Sequence, residues 1–140
     1  GVEHRIEFVK NIRGVKYYND SKGTNVDSTK VALESFDKNI HLILGGQDKG
    51  SSYKPIYKLI KDKVKTIILI GEAVPIIEKE LKGSAKMYKS ITLENAIKQL
   101  QSIVKEKDIV LFSPACASFD QFKNFEHRGR EFKKIISSIK

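Results

Sequence analysis

Cysteine is nearly absent. The lone Cys116 among 140 residues excludes an internal disulfide and any cysteine-built metal cluster, and it suits a reducing compartment, with the cytoplasm as the expected location. Long apolar runs are missing as well. The longest, residues 66–70, falls far short of the roughly eighteen residues of a membrane helix, and no signal-peptide pattern opens the sequence. No membrane partner is expected. No initiator is present either: the one methionine is the internal Met87 and Gly1 comes first, which reads as a piece processed or excised from a longer product. A basic tail is also lacking. The 26 Lys+Arg and 17 Asp+Glu give +9, yet 13 basic and 8 acidic residues fall in 1–70 and 13 and 9 in 71–140, so the excess is spread. Twenty-two of the basic residues are Lys, whereas base readout leans on Arg, so no specific nucleic-acid partner is expected. The phosphate-binding Gly-x-x-x-x-Gly-Lys-Ser/Thr loop and the dinucleotide Gly-x-Gly-x-x-Gly fingerprint are both absent. His4, His41 and His127 are scattered, with no metal-ligand spacing. His41, inside an apolar run, reads as a satisfied core imidazole.

What is present fits one domain over residues 1–140, with 40% hydrophobic residues for a core. Residues 5–10 and 15–19 read as a hairpin turning at 11–14, with Ile6 and Phe8 on one face. Thr24 or Asn25 can cap a helix to about Phe36 in which Val26, Thr29, Ala32, Leu33 and Phe36 recur at helical spacing. The runs 40–44, 66–70 and 108–112 each end at Gly or Ser-Pro and suit strands buried on both faces. Helical patterns at 54–62, 73–81, 92–104 and 125–139 lie between them, with a short strand at 86–88. Such alternation implies a Rossmann-like three-layer α/β fold with a mainly parallel sheet and an opening hairpin.

Ligands bind such sheets beyond the carboxyl ends of the strands, and three polar loops follow strands there. Asn-Asp-Ser-Lys-Gly-Thr-Asn at 19–25 offers Asp20 for vicinal hydroxyls, Lys22 for an anion and the Thr24 hydroxyl; a plain turn and cap is the other reading of it. Gly-Gly-Gln-Asp-Lys-Gly at 45–50 lets backbone approach a ligand beside the Lys49 ammonium, or is simply a glycine turn. Ser-Pro-Ala-Cys-Ala-Ser at 113–118 is built of small residues and ends on Ser118, expected at the start of a helical segment. Cys116 reads as a structural thiol, because nothing in the spacing brings a base such as His127 to it. Arg128 and Arg130 could join an anion site, with a solvated helix face as the preferred reading.

Four of these stretches, His-Arg-Ile-Glu at 4–7, Asp-Ser-Lys-Gly-Thr-Asn at 20–25, Leu-Gly-Gly-Gln-Asp-Lys at 44–49 and the run from Ser113 to Phe125, come in order over nearly the whole chain. Together they resemble the C-terminal domain of the Mur ligases, in the branch that adds D-glutamate. The resemblance implies a three-domain cytoplasmic, monomeric enzyme of peptidoglycan synthesis in which this domain closes over an N-terminal domain holding UDP-N-acetylmuramoyl-L-alanine and a central domain carrying the phosphate loop and Mg2+. The missing phosphate loop agrees with that division, and the domain alone is expected to be inactive. Matching positions imply that Arg5 and Asp20 meet ATP, that Lys22 lies near the phosphates or reacting groups, and that Thr24, Lys49, Ser118 and the backbone of Phe125 hold D-glutamate. Gly23 stands where many relatives have Ala, a change that leaves the assignment intact, though it can loosen the loop. Two other readings stand beside this one: a ligase of the same superfamily using another amino acid, and a basic nucleotide- or nucleic-acid-binding module without enzymatic activity.

Overall fold

The computed structural model describes residues 2–140. Its centre is a six-stranded sheet in the order β1-β2-β6-β3-β4-β5, with β1 (Glu7–Ile12), β2 (Val15–Asn19), β3 (Ile40–Gly45), β4 (Val64–Ile70), β5 (Lys86–Ile91) and β6 (Ile109–Phe112). Only the β1–β2 pair is antiparallel; β2, β6, β3, β4 and β5 run parallel. Five helices cover it: α1 (Val26–Glu34), α2 (Tyr57–Lys63, entered through a 3-10 turn at Lys54–Ile56), α3 (Val74–Glu80), α4 (Leu93–Leu100) and α5 (Phe125–Ser137).

The apolar runs decide the layering because successive strand residues face opposite ways. Leu42, Leu44, Ile67 and Leu69 point to the side where α1, α2 and α3 bring Leu33, Ile60 and Ile77. Ile43, Ile68, Val110 and Phe112 point to the other, against Ile97 and Leu100 of α4 and Phe132 and Ile136 of α5. Both faces of the central strands are therefore dry, which is why they lack polar alternation.

Several boundaries differ from the sequence expectation. β1 starts later and runs on to Ile12, because Arg13 (φ 50) and Gly14 (φ 84) alone make the turn, with both central residues left-handed as a two-residue hairpin requires. Asn11, expected in the turn, is the last-but-one strand residue and accepts the Gly14 N–H through Oδ1 at 2.9 Å. Ile6 (φ 44) lies before the strand, so it does not share a strand face with Phe8, and the register slips between Phe8 and Lys10. α1 ends at Glu34 and α4 at Leu100, both short of expectation. β5 is longer, reaching Ile91.

Register puts the ends of β2, β3, β4 and β6 on one rim: Asn19 pairs with Phe112, Ile43 with Phe112 and Gly45 with Ile70. Since β1 is antiparallel and Glu7 opposes Asn19, residues 4–6 reach the same rim. The opposite end carries a closed polar cluster. His41 is hydrogen-bonded through Nδ1 to Thr66 Oγ1 and through Nε2 to Asp108 Oδ2, both at 2.7 Å, and Asp108 also accepts from Lys65 Nζ at 3.0 Å and the Lys105 N–H at 3.0 Å. His41 is the satisfied core imidazole expected of it.

Candidate functional site

The three polar loops are sewn to one another by backbone. Asp20 N–H donates to Phe112 O at 2.7 Å and Ala115 N–H to Gly23 O at 2.8 Å, joining the first loop to the third. Gly45 N–H donates to Pro114 O, and Gln47 and Ala117 exchange bonds of 2.9 and 3.2 Å, joining the second to the third. Such closeness needs bare backbone. Gly45 (φ 129) and Gly46 (φ 146) sit where side-chain-bearing residues are strained, and a Cβ on them would lie 2.0 Å from Ile70 O and 2.6 Å from Ala117 O.

On this scaffold an open cavity of about 460 Å³ is lined by Arg5, Ile6, Asp20, Lys22, Gly23, Thr24 and Phe125, with Asn25, Ser28 and Val31 from the start of α1. Five of the seven expected site residues meet here. The N-termini of α1 and α5 both border the cavity, since Asn25 and Asn124 cap them by accepting the Ser28 and His127 N–H groups. Their free amides and dipoles add to the Arg5 and Lys22 charges and favour an anion. Asn25, rather than Thr24, is the cap of α1.

Asp20 is 4% exposed. Its Oδ1 accepts the Ile6 N–H at 3.0 Å and its Oδ2 the Ser113 hydroxyl at 2.6 Å, leaving each oxygen one further acceptor position. Burial pushes its carboxyl above the usual carboxylate range, against the pull of Ser113, the Ile6 N–H and the charges of Arg5 and Arg128. Gly23 is buried, and a Cβ there would meet Ser113 Oγ at 2.7 Å and Asp20 Oδ2 at 2.8 Å. The Gly23 N–H donates to the Asp20 backbone carbonyl at 2.8 Å, so the glycine packs tightly beside the carboxylate.

Lys49 and Ser118 do not line this cavity. Lys49 is exposed on the second loop, and Ser118 is buried at the end of the third. Ser118 opens a turn, with its carbonyl accepting the Gln121 and Phe122 N–H groups, rather than a helix; α5 begins seven residues on. Cys116 is buried beside the Tyr53 hydroxyl at 3.2 Å, and burial pushes its thiol up to about 11. That makes it a protonated structural thiol, with the His127 ring accepting instead from the Lys123 N–H.

Arg128 corrects the solvated-face expectation. It is 1% exposed, and its Nε donates to Ser21 Oγ at 3.0 Å, Nη2 to Ser21 O at 2.7 Å and Nη1 to Cys116 O at 3.0 Å. Ser21 Oγ in turn donates to Phe125 O at 2.7 Å. One guanidinium thus fastens the first loop, the third loop and the head of α5. Burial lowers its pKa to about 10, with the charges of Asp120 and Asp20 opposing. Arg130, two residues on, is exposed as expected. Helix phase was the signal for this difference: Arg128, Phe132 and Ile136, four apart, are all buried on the sheet-facing side of α5. Gly129 beside it makes room for His4, whose Nδ1 would lie 2.1 Å from a Cβ there. His4 in turn accepts from Asn19 Nδ2 at 2.9 Å.

A doubly covered parallel sheet with loops gathered at its carboxyl rim, glycines where backbones touch and two helix N-termini around an open cavity holding Arg5 and Lys22 defines a Rossmann-like three-layer α/β domain, with the cavity where ligands of such sheets bind. The family model described as Mur ligase, glutamate ligase domain matches residues 4–116, and the chain belongs to that family. Over 138 residues it is 53% identical to the UDP-N-acetylmuramoylalanine--D-glutamate ligase of Koribacter versatilis (strain Ellin345), covering 99% of this chain and 30% of that protein. The enzyme of the same name from Caldicellulosiruptor saccharolyticus is 48% identical over 141 residues, 99% of this chain and 31% of that one. The chain therefore spans about 30% of the length of the curated relatives it matches. Among solved structures, the MurF ligase of Thermotoga maritima, determined in complex with ADP, superposes with a TM-score of 0.60 at 20% identity, covering 98% of this chain and 32% of that one. That likeness supports the fold.

Proposed function

We propose that this domain forms the ATP- and D-glutamate-contacting face of a larger, cytoplasmic, monomeric ATP-dependent ligase that joins D-glutamate to UDP-N-acetylmuramoyl-L-alanine. The observation that carries the reading is the open cavity shared by Arg5, Asp20, Lys22, Thr24 and Phe125, in a chain whose relatives bear that ligase name and are about three times longer. Peptide synthesis of this kind transfers the γ-phosphoryl group of ATP to the substrate carboxylate, and the amine nitrogen of D-glutamate then attacks the acyl carbon as phosphate leaves. Positioning and charge neutralisation dominate such steps.

Asp20 accepts ribose hydroxyls at the acceptor positions that Ile6 and Ser113 leave open, and the exposed Arg5 side chain meets the nucleotide beside it. Lys22 neutralises charge at the phosphates or the reacting groups. Thr24, Ser118 and the backbone of Phe125 donate to the carboxylates of D-glutamate, and Lys49 supplies the fixed positive charge a dianion needs. The Thermotoga maritima ligase that shares this fold was determined in complex with ADP, which agrees with nucleotide use in the family. No group of three or more His, Cys, Asp or Glu suited to a metal occurs among the described residues. Mg2+ is assigned in this reading mainly to the central domain, with ATP, and no step here is routed through it. The N-terminal and central domains of the same polypeptide are the partners that complete the site.

Lys49→Ala in the full-length enzyme tests the reading. Losing a charge-assisted hydrogen bond costs about 1.5–3 kcal/mol, so the D-glutamate requirement should rise roughly ten- to a hundredfold while the ATP requirement stays near its starting value. A shift confined to ATP would place Lys49 in the nucleotide site and overturn the assignment.

A further inference from the structure

The second loop owes its shape to a residue outside it. Tyr53 follows the loop, at the entry to the 3-10 turn, and is 2% exposed. Its N–H donates to Glu80 Oε1 of α3 at 2.6 Å, and the same oxygen accepts from Ser52 Oγ at 3.2 Å. At its other end the hydroxyl donates to Asp48 Oδ1 at 2.8 Å and lies 3.2 Å from Cys116 Sγ. Tyr53 therefore spans from α3 to the point where the second and third loops touch.

Backbone already fixes the loop up to Gln47: Gly46 O accepts the Ala73 N–H at 2.9 Å, and Gln47 is paired with Ala117. Beyond Asp48 nothing comparable holds it, since Lys49 is exposed and a Cβ on Gly50 would meet nothing within 4 Å. The Tyr53–Asp48 bond is thus the last anchor before Lys49. It also uses the neighbouring carboxylate, and among the described residues Lys49 takes part in no ion pair. The Lys49 ammonium remains available to a ligand.

We infer that Tyr53 is a positioning residue for amino-acid specificity: by holding Asp48 it sets the place of Lys49 on the rim, and so the affinity for the D-glutamate dianion. The inference rests on the assignment of Lys49 proposed above. Holding a charge in place matters because a flexible ammonium must be ordered again at each binding event.

The test uses the full-length enzyme with Tyr53→Phe, which removes one oxygen and keeps the buried ring, and Asp48→Asn, which keeps an acceptor for the Tyr53 hydroxyl. Tyr53→Phe should raise KM for D-glutamate about three- to tenfold, the scale of one hydrogen bond, with kcat and KM for ATP within about twofold. Asp48→Asn should stay near the parent enzyme. Amide exchange at residues 47–50, measured without substrates, should quicken in Tyr53→Phe and not in Asp48→Asn. Equal rises in KM for ATP and D-glutamate would mark a general structural role and overturn the inference. Unchanged exchange would overturn the anchor itself. Quickened exchange with an unchanged D-glutamate requirement would instead overturn the assignment of Lys49 to the amino acid, which separates the two failures.

Discussion

Replacing Arg128 by Met removes the guanidinium that fastens the rim and lies over the Phe112 ring, its carbon 5.7 Å from the ring centroid, while keeping most of the apolar stem. Three charge-assisted bonds disappear, to Ser21 Oγ, Ser21 O and Cys116 O. At about 1.5–3 kcal/mol each, the gross loss is roughly 4–9 kcal/mol. Against this, the charge was costly to bury. Its pKa, lowered to about 10, corresponds to about 3 kcal/mol that the neutral Met recovers. The net destabilisation should therefore lie at about 1–6 kcal/mol. Urea unfolding of the domain, followed by far-UV circular dichroism, measures it as a fall in midpoint at constant m. Arg128→Lys separates charge from geometry, because one ammonium cannot reach two carbonyls and a hydroxyl at once; it should lose at least half of what Met loses. A Met variant as stable as the parent, or a Lys variant equal to it, would refute the view that the fork of this side chain holds the loops together.

Asp20→Asn should fold normally, since its amide oxygen can take the Ile6 N–H while its NH2 faces a Ser113 hydroxyl free to turn toward Thr29 Oγ1, 3.0 Å away. With one acceptor lost, KM for ATP in the full-length enzyme should rise more than KM for D-glutamate, and an unchanged ATP requirement would sink the ribose role. Stability should also depend on pH through His41. Burial holds its pKa below the ordinary imidazole value despite the Asp108 carboxylate, and His4 is lowered for the same first reason. A depressed histidine leaves stability intact above about pH 6.5 and removes it as pH falls through the folded-state value, by at most about 1.4 kcal/mol per pH unit per histidine. Urea midpoints at pH 8 and pH 5 should therefore differ, and by less in His41→Asn. Finally, the isolated domain should show no amide-forming activity and only weak ATP binding by calorimetry; measurable synthesis by the domain alone would contradict the division of the site between domains.

The fold was legible because its central strands are apolar runs with no polar alternation, a pattern that only a sheet covered on both faces tolerates. Boundaries were less so where a single backbone conformation decides them. Nothing in Asn-Ile-Arg-Gly at 11–14 separates a four-residue turn from a two-residue one until Arg13 is seen at positive φ. β5 was underestimated for a different reason: as the edge strand it exposes Lys86, Lys89 and Ile91, and half-exposed edges carry a weak hydrophobic signal.

The site divided along the same line between local and long-range information. Asp20, Lys22 and Thr24 could be read as one unit because six consecutive residues carry them, and Arg5 joins them because an antiparallel partner brings the start of β1 to the end of β2. Arg128 could not be read that way. Its charge predicts solvent, and only the meeting of two loops 107 and 12 residues away supplies the acceptors that make burial tolerable. The same holds for Tyr53, whose hydroxyl finds Asp48 nearby but Cys116 from 63 residues away. Residues expected to touch a ligand announce themselves in short polar motifs. Those that hold such motifs in place are ordinary Arg, Tyr and Ser residues whose partners come from elsewhere in the chain, and their importance becomes visible only when the rim is assembled.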